Sequence, residues 1–138
     1  MSVDALVLTL IEKFVSSGDS RLRWIEPGVA AHRFLPLYVG WSAVFGLRQD
    51  GSLVRWDFEV SPDRVSELDS PFWKRMALFQ GAKQYRQLAG LLPMRPSNAE
   101  VCRLCNGSGE VPGRKDLVCD CGGAGWIIAG EMRDSPPG

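Results

Sequence analysis

Apolar residues recur at helical spacing from the start of the chain. Leu6, Leu10 and Phe14 follow one another every four positions, and Val3, Val7 and Ile11 widen the stripe, which predicts an amphipathic helix from Ser2 to about Ser17. Ser2 suits its N-cap, Asp4 its first turn and Gly18 a left-handed C-terminal cap. After a connector running through Pro27-Gly28, the period changes to two. Trp41, Ala43, Phe45 and Leu47 fall on one side of a first run; in a second, Val54, Trp56, Phe58 and Val60 oppose Arg55, Asp57 and Glu59. Asp50-Gly51 lies between the runs and offers a turn with positive φ at both central residues, so the pattern predicts a β-hairpin over 41–60 with one buried face.

Ser61-Pro62 and Ser70-Pro71 each pair a capping residue with an N1 proline, predicting a short helix and then a longer one from Pro71 toward Leu92. In the longer helix Met76, Phe79, Ala82, Tyr85, Leu88 and Leu92 form a stripe expected to lie on the hairpin, and Gly81 is a candidate break. Two prolines make 94–100 an extended connector. The expected organisation is an α+β body over 1–93, a small antiparallel sheet packed with helices, followed by the connector, a cysteine-bearing module over 101–128 and a flexible tail over 129–138.

The module holds all four cysteines. Cys102 and Cys105 form one close pair and Cys119 and Cys121 another, with thirteen residues, 106–118, between the inner members. Two short chelating loops brought together by a hairpin satisfy the four-thiolate tetrahedron that a zinc ion accepts. Gly107, Gly109, Gly123 and Gly125 stand two and four residues beyond Cys105 and Cys121. A chain wrapping a metal needs positive φ at such places, and the bare backbone there can aim N–H groups at the sulfurs. A disulfide pairing would need an oxidising compartment, and a thioredoxin-like redox pair would need to open a helix, where glycines follow instead. One structural Zn2+ held by the four cysteines is the reading the spacing favours.

At this point the segment resembles the cysteine-rich zinc module of DnaJ-type chaperones, whose repeated unit is C-x-x-C-x-G-x-G. Cys102 to Gly109 matches that unit fully, whereas Cys119 and Cys121 are two positions apart rather than three, and there are two units rather than four. The resemblance implies a zinc ion, and the module itself is expected to be zinc-ribbon-like. It does not carry chaperone activity across, because the chain contains no His-Pro-Asp.

Composition narrows the function. Sixteen basic residues balance sixteen acidic ones, so the excess positive charge on which phosphate-backbone binding relies is missing and nucleic acid is disfavoured as a partner. Arg21, Arg23 and Arg33, with Arg114-Lys115, form at most a sparse basic set. Asp4 stands where a secretory signal needs a basic residue, and no run reaches the roughly 20 apolar residues of a membrane span. The expected setting is cytoplasmic, without membrane contact, where thiols stay reduced and favour metal.

Catalytic groups are scarce. His32 is the single histidine and has no partner in the sequence; Gly122-Gly123-Ala124-Gly125 is explained by the adjacent cysteines rather than by a phosphate loop. Asp57 and Glu59 could imitate an acid/base pair, but alternation alone puts them on a solvated strand face. Trp24, Trp41, Trp56 and Trp73 read as core. The body, through Leu35-Pro36-Leu37-Tyr38 and the strand pair around Asp50-Gly51, resembles the SUKH superfamily, whose members include bacterial immunity proteins that neutralise toxins. These readings converge on a non-enzymatic, zinc-stabilised protein-binding protein. Its partner would be a protein, a cognate toxin on the SUKH resemblance, with Arg55, Asp57 and Glu59 as candidate contacts; a nucleic-acid-associated zinc ribbon is the alternative.

Overall fold

The structure is a computed structural model that describes residues 2–17 and 22–131. The fold is α+β, and it divides into two compact units: described residues up to Leu68 form the first, and those from Asp69 onward the second. The longer helix therefore groups with the cysteines.

In the first unit, α1 (Val3–Ser17) starts where Ser2 Oγ accepts the Ala5 N–H at 3.2 Å. Val7, Leu10 and Ile11 are buried while Val3 and Leu8 are exposed, so the buried stripe is narrower than the sequence suggests. The expected Gly18 cap lies outside the described residues. Pro27-Gly28, expected as a connector, instead sits in the first turn of a second helix, α2 (Glu26–His32), entered through a 3-10 turn at Arg23–Ile25. The first turn tolerates a proline because its N–H has no intrahelical partner. Glycine follows because the Trp56 ring occupies the space that a Cβ at position 28 would need.

A four-stranded antiparallel meander follows: β1 (Leu35–Val39), β2 (Val44–Leu47), β3 (Leu53–Trp56) and β4 (Ser66–Glu67), in that spatial order. The hairpin is present as β2 and β3, with Leu47 opposite Leu53 and Val44 opposite Trp56. It is shorter than 41–60. Trp41 lies in the turn between β1 and β2 and is 85% exposed, and all four residues of β2 are buried, so this strand is covered on both faces. After Trp56 the chain turns, with the Ser61 N–H on the Asp57 carbonyl at 2.7 Å, so Val60 is solvent-exposed. Phe58 nevertheless packs on Trp24, ring centroids 4.9 Å apart.

The hairpin turn also differs from expectation. Only Gly51 has positive φ; Asp50 accepts the Ser52 N–H on its carboxylate at 2.9 Å, giving a longer loop in which one residue takes the left-handed conformation. No helix forms at Ser61-Pro62. The chain there supplies β4 instead, and the Pro62 carbonyl accepts from the Trp56 indole N–H at 3.0 Å.

The second unit opens with α3 (Pro71–Gln84), capped by Ser70 Oγ accepting the Trp73 N–H at 3.3 Å. Gly81 does not break it. The helix ends at Gln84, and a 3-10 turn (Arg86–Leu91) replaces its expected last part. Four short strands complete the unit: β5 (Ala99–Val101), β6 (Glu110–Val111), β7 (Arg114–Val118) and β8 (Trp126–Ile128). β5 pairs with β8 and β6 with β7, the ribbon arrangement that brings two loops face to face. Among the described residues no helix is long and apolar enough to cross a membrane.

Candidate metal centre

β5 leads into the loop bearing Cys102 and Cys105; the β6–β7 hairpin returns the chain, and the loop bearing Cys119 and Cys121 leads into β8. The four Sγ atoms all lie within 4.8 Å of one another. Cys102 and Cys119 are 3.6 Å apart, and Cys105 and Cys121 3.8 Å. Four thiolates around one ion at bond lengths of about 2.3 Å would be separated by about 3.8 Å, so the closest pairs already match a tetrahedron's edge. None of the four is in a disulfide, and all are at most 4% exposed, with Val111 and Ile127 packed against them.

The glycine offsets have a specific use. Gly109 N–H donates to Cys105 Sγ and Gly125 N–H to Cys121 Sγ, both at 3.3 Å. Gly125 also accepts the Cys102 N–H on its carbonyl at 3.0 Å, tying one loop to the other. Each of these glycines lies against the carbonyl oxygen of the other loop's inner glycine: Gly109 against Gly123, and Gly125 against Gly107. A Cβ on Gly125 would stand 2.5 Å from the Gly107 oxygen, so the two loops approach as closely as bare backbone permits.

Thiolate formation is shaped by the same contacts. Burial pushes the Cys119 thiol up to about 12 and also raises Cys121. At Cys105 burial acts in the same direction, but the N–H groups of Gly109 and Gly107 and the thiols of Cys102 and Cys121 outweigh it and bring that thiol down to about 7. The donor set is thus all sulfur, buried, and supplied with backbone N–H groups that offset negative charge. It suits a thiophilic divalent ion bound with all four positions filled by protein, which leaves none for water.

Helix α3 supports the second loop. Phe72, Arg75, Met76, Phe79 and Gln80 lie at i, i+3, i+4, i+7 and i+8. Gln80 Nε2 donates to the Gly122 carbonyl at 3.0 Å, and Met76 packs so near Gly122 that a Cβ there would be 2.9 Å from its own. Phe79 meets the Trp126 ring edge-on at 6.4 Å. Arg75, only 6% exposed, lies over the Trp126 ring at 4.7 Å and forms a two-pronged ion pair with Glu131, Nη1 to Oε2 at 3.1 Å and Nη2 to Oε1. Of the stripe expected to cover the hairpin, Met76 and Phe79 make these contacts with the cysteine module, joined by Arg75 and Gln80. Hydrophobic periodicity missed this face because two of its five members, Arg75 and Gln80, are polar. Glu131, placed by the sequence reading in the flexible tail, is held by that ion pair; residues 132–138 lie outside the described residues.

His32, Arg55, Asp57 and Glu59 belong to the first unit, the cysteines to the second. His32 Nε2 is 2.9 Å from the Pro62 carbonyl, with its ring against Trp56. Arg55 Nε donates to Asp57 at 2.7 Å, and Glu59 is exposed in the turn after β3, so the three do not share a strand face. Of the cations considered, Arg21 lies outside the described residues, Arg23 and Arg33 belong to the first unit, and Arg114 is on β7. Compared with known proteins, the chain matches no family model, no curated protein and no solved structure, so neither the DnaJ-type nor the SUKH resemblance gains support there.

Proposed function

We propose that the chain is a non-enzymatic protein-binding protein stapled by one structural zinc ion. The observation that carries the metal is the buried quartet of thiols at tetrahedral spacing, with a backbone N–H on a sulfur of each loop. Zinc suits it because that ion takes four thiolates without ligand-field preference, and such sites stabilise rather than catalyse. Two of the groups the sequence offers for catalysis are engaged elsewhere, His32 with the Pro62 carbonyl and Asp57 with Arg55, and Glu59 lies exposed in a turn, which favours binding over turnover.

Elemental analysis of protein purified without chelator should find one zinc per chain. Iron with thiolate absorption would replace zinc by the other metal that favours four sulfurs, and absence of any metal would overturn the reading. Toxin neutralisation is the narrower form and stands on the SUKH resemblance alone. Rescue of growth when the chain is co-expressed with a cognate toxin would support it, and undiminished toxicity would count against it. Nucleic-acid association would take its place if the chain retarded DNA or RNA with an affinity falling steeply with salt.

A further inference from the structure

Next to the second cysteine loop, the end of α3 and the 3-10 turn after it form with Gly123 an open groove of about 290 Å3. Its walls are Phe79, Ala82, Ala89 and Leu92, and the charged residues lining it are Lys83 and Arg86. Phe79, Ala82, Lys83 and Arg86 lie at i, i+3, i+4 and i+7, which puts them on one side as the helix gives way to the turn. Both cations are exposed, neither has an ion-pair partner among the described residues, and no carboxylate lines the groove.

Two features choose the occupant. Pockets that enclose small ligands run from about 300 to 1,000 Å3 and cover most of the ligand; this groove is at the bottom of that range and open along its length. It suits one or two anchoring side chains from a protein rather than a cofactor. The charges choose the flank: a carboxylate beside the anchor meets Lys83 or Arg86, whereas a basic flank meets repulsion.

We propose that this groove docks an acidic, apolar segment of a partner protein, with one large apolar side chain between Phe79, Ala82, Ala89 and Leu92 and carboxylates on Lys83 and Arg86. The proposal rests on the protein-binding reading above and supplies its surface and partner chemistry. It also couples docking to the metal, because Gly123 forms part of the groove two residues after the ligand Cys121.

The test is selection from a phage-displayed library of random dodecapeptides on the zinc-loaded full chain, followed by fluorescence anisotropy with an enriched peptide. Enriched sequences should place Asp or Glu beside Leu, Phe, Trp or Met. Two variants with surface changes, Lys83→Glu/Arg86→Glu to reverse the charge and Ala89→Trp to fill the groove, should each weaken binding roughly tenfold or more at equal zinc content. No enrichment, a basic or neutral consensus, or a titration unchanged by both variants would overturn the groove. Zinc measured on the same samples separates the two ideas. A chain that takes up no zinc when loaded yet still selects acidic, apolar peptides removes the zinc reading and the coupling but keeps the surface, while zinc-loaded protein that selects none removes the surface and keeps the metal.

Discussion

Alanine at Gly125 tests whether the glycine spacing is part of the metal site. Gly125 has φ +86°, its N–H is on Cys121 Sγ, its carbonyl holds the Cys102 N–H, and an added Cβ would sit 2.5 Å from the Gly107 oxygen. Carbon contacts are comfortable near 3.5–4.0 Å, so the two loops would have to part by on the order of 1 Å. Metal–ligand distances tolerate only about 0.2 Å, and the strain is therefore felt by the sulfurs. The left-handed backbone costs a residue with a side chain about 1–2 kcal/mol, and forced overpacking adds about 1–3 kcal/mol. Gly113 is the internal control, since it too has positive φ, +71°, but nothing lies within 4 Å of the Cβ it would gain. Gly113→Ala should therefore show only the backbone cost. The excess in Gly125→Ala should appear as a roughly 5- to 150-fold loss of zinc affinity relative to Gly113→Ala, read by competition with a chromophoric chelator. Equal affinities in the two variants would refute the idea that loop-to-loop approach at this glycine shapes the site.

Three further outcomes follow from the same contacts. Serine at any ligand, Cys121 first, or prolonged chelation should lower zinc from one per chain toward none and collapse the amide NMR signals of the module, because the metal supplies most of the folding energy of such small units; an unchanged spectrum would count against a structural ion. Glu131→Ala strands the charge of the buried Arg75 and should cost about 3–5 kcal/mol in urea unfolding. Arg75→Met, which removes the charge and keeps an apolar chain over Trp126, should cost clearly less; the reverse order would show that the pair's worth lies in packing. Gly28→Ala drives the Trp56 ring from its place and strains its bond to the Pro62 carbonyl, so about 2–4 kcal/mol of stability should be lost by the same assay, and a loss near zero would mean the ring moves freely.

The clustering of the four cysteines was legible because it is encoded locally: two close pairs and a repeated glycine offset define the loops without knowledge of the rest. Helix α1, the β2–β3 hairpin and the Ser70 cap were legible for a similar reason, each being encoded within one turn or one alternation. What escaped depended on distant partners. Pro27-Gly28 reads as a turn from its own neighbourhood, and only Trp56, nearly thirty residues on, explains why a glycine stands in a helix there. The strand after Asp50-Gly51 keeps its alternation on paper as far as Val60, yet the chain turns after Trp56, where Phe58 finds Trp24. Helix α3 was foreseen, but its role in holding the cysteine module was not, because Arg75 and Gln80 break the apolar stripe that would have announced it.

Those two polar residues show how a small module is held without a core of its own. Around the four cysteines, among the described residues, only Val111 and Ile127 pack as partly buried hydrophobics, too little apolar surface to fix the loops. Two other attachments make up the difference. An ion held by the four sulfurs would draw the loops to each other, and α3 holds the second loop from outside, through Gln80 on the Gly122 carbonyl and Met76 beneath it, while Arg75 secures β8 by covering Trp126 and gripping Glu131 just beyond the strand. A methionine at position 75 could cover the ring but could not reach a carboxylate, and a leucine at position 80 could pack but could not satisfy a carbonyl. Polar residues on this face are therefore what allows a helix to hold loops made of backbone and sulfur, which offer hydrogen-bonding groups in place of apolar side chains.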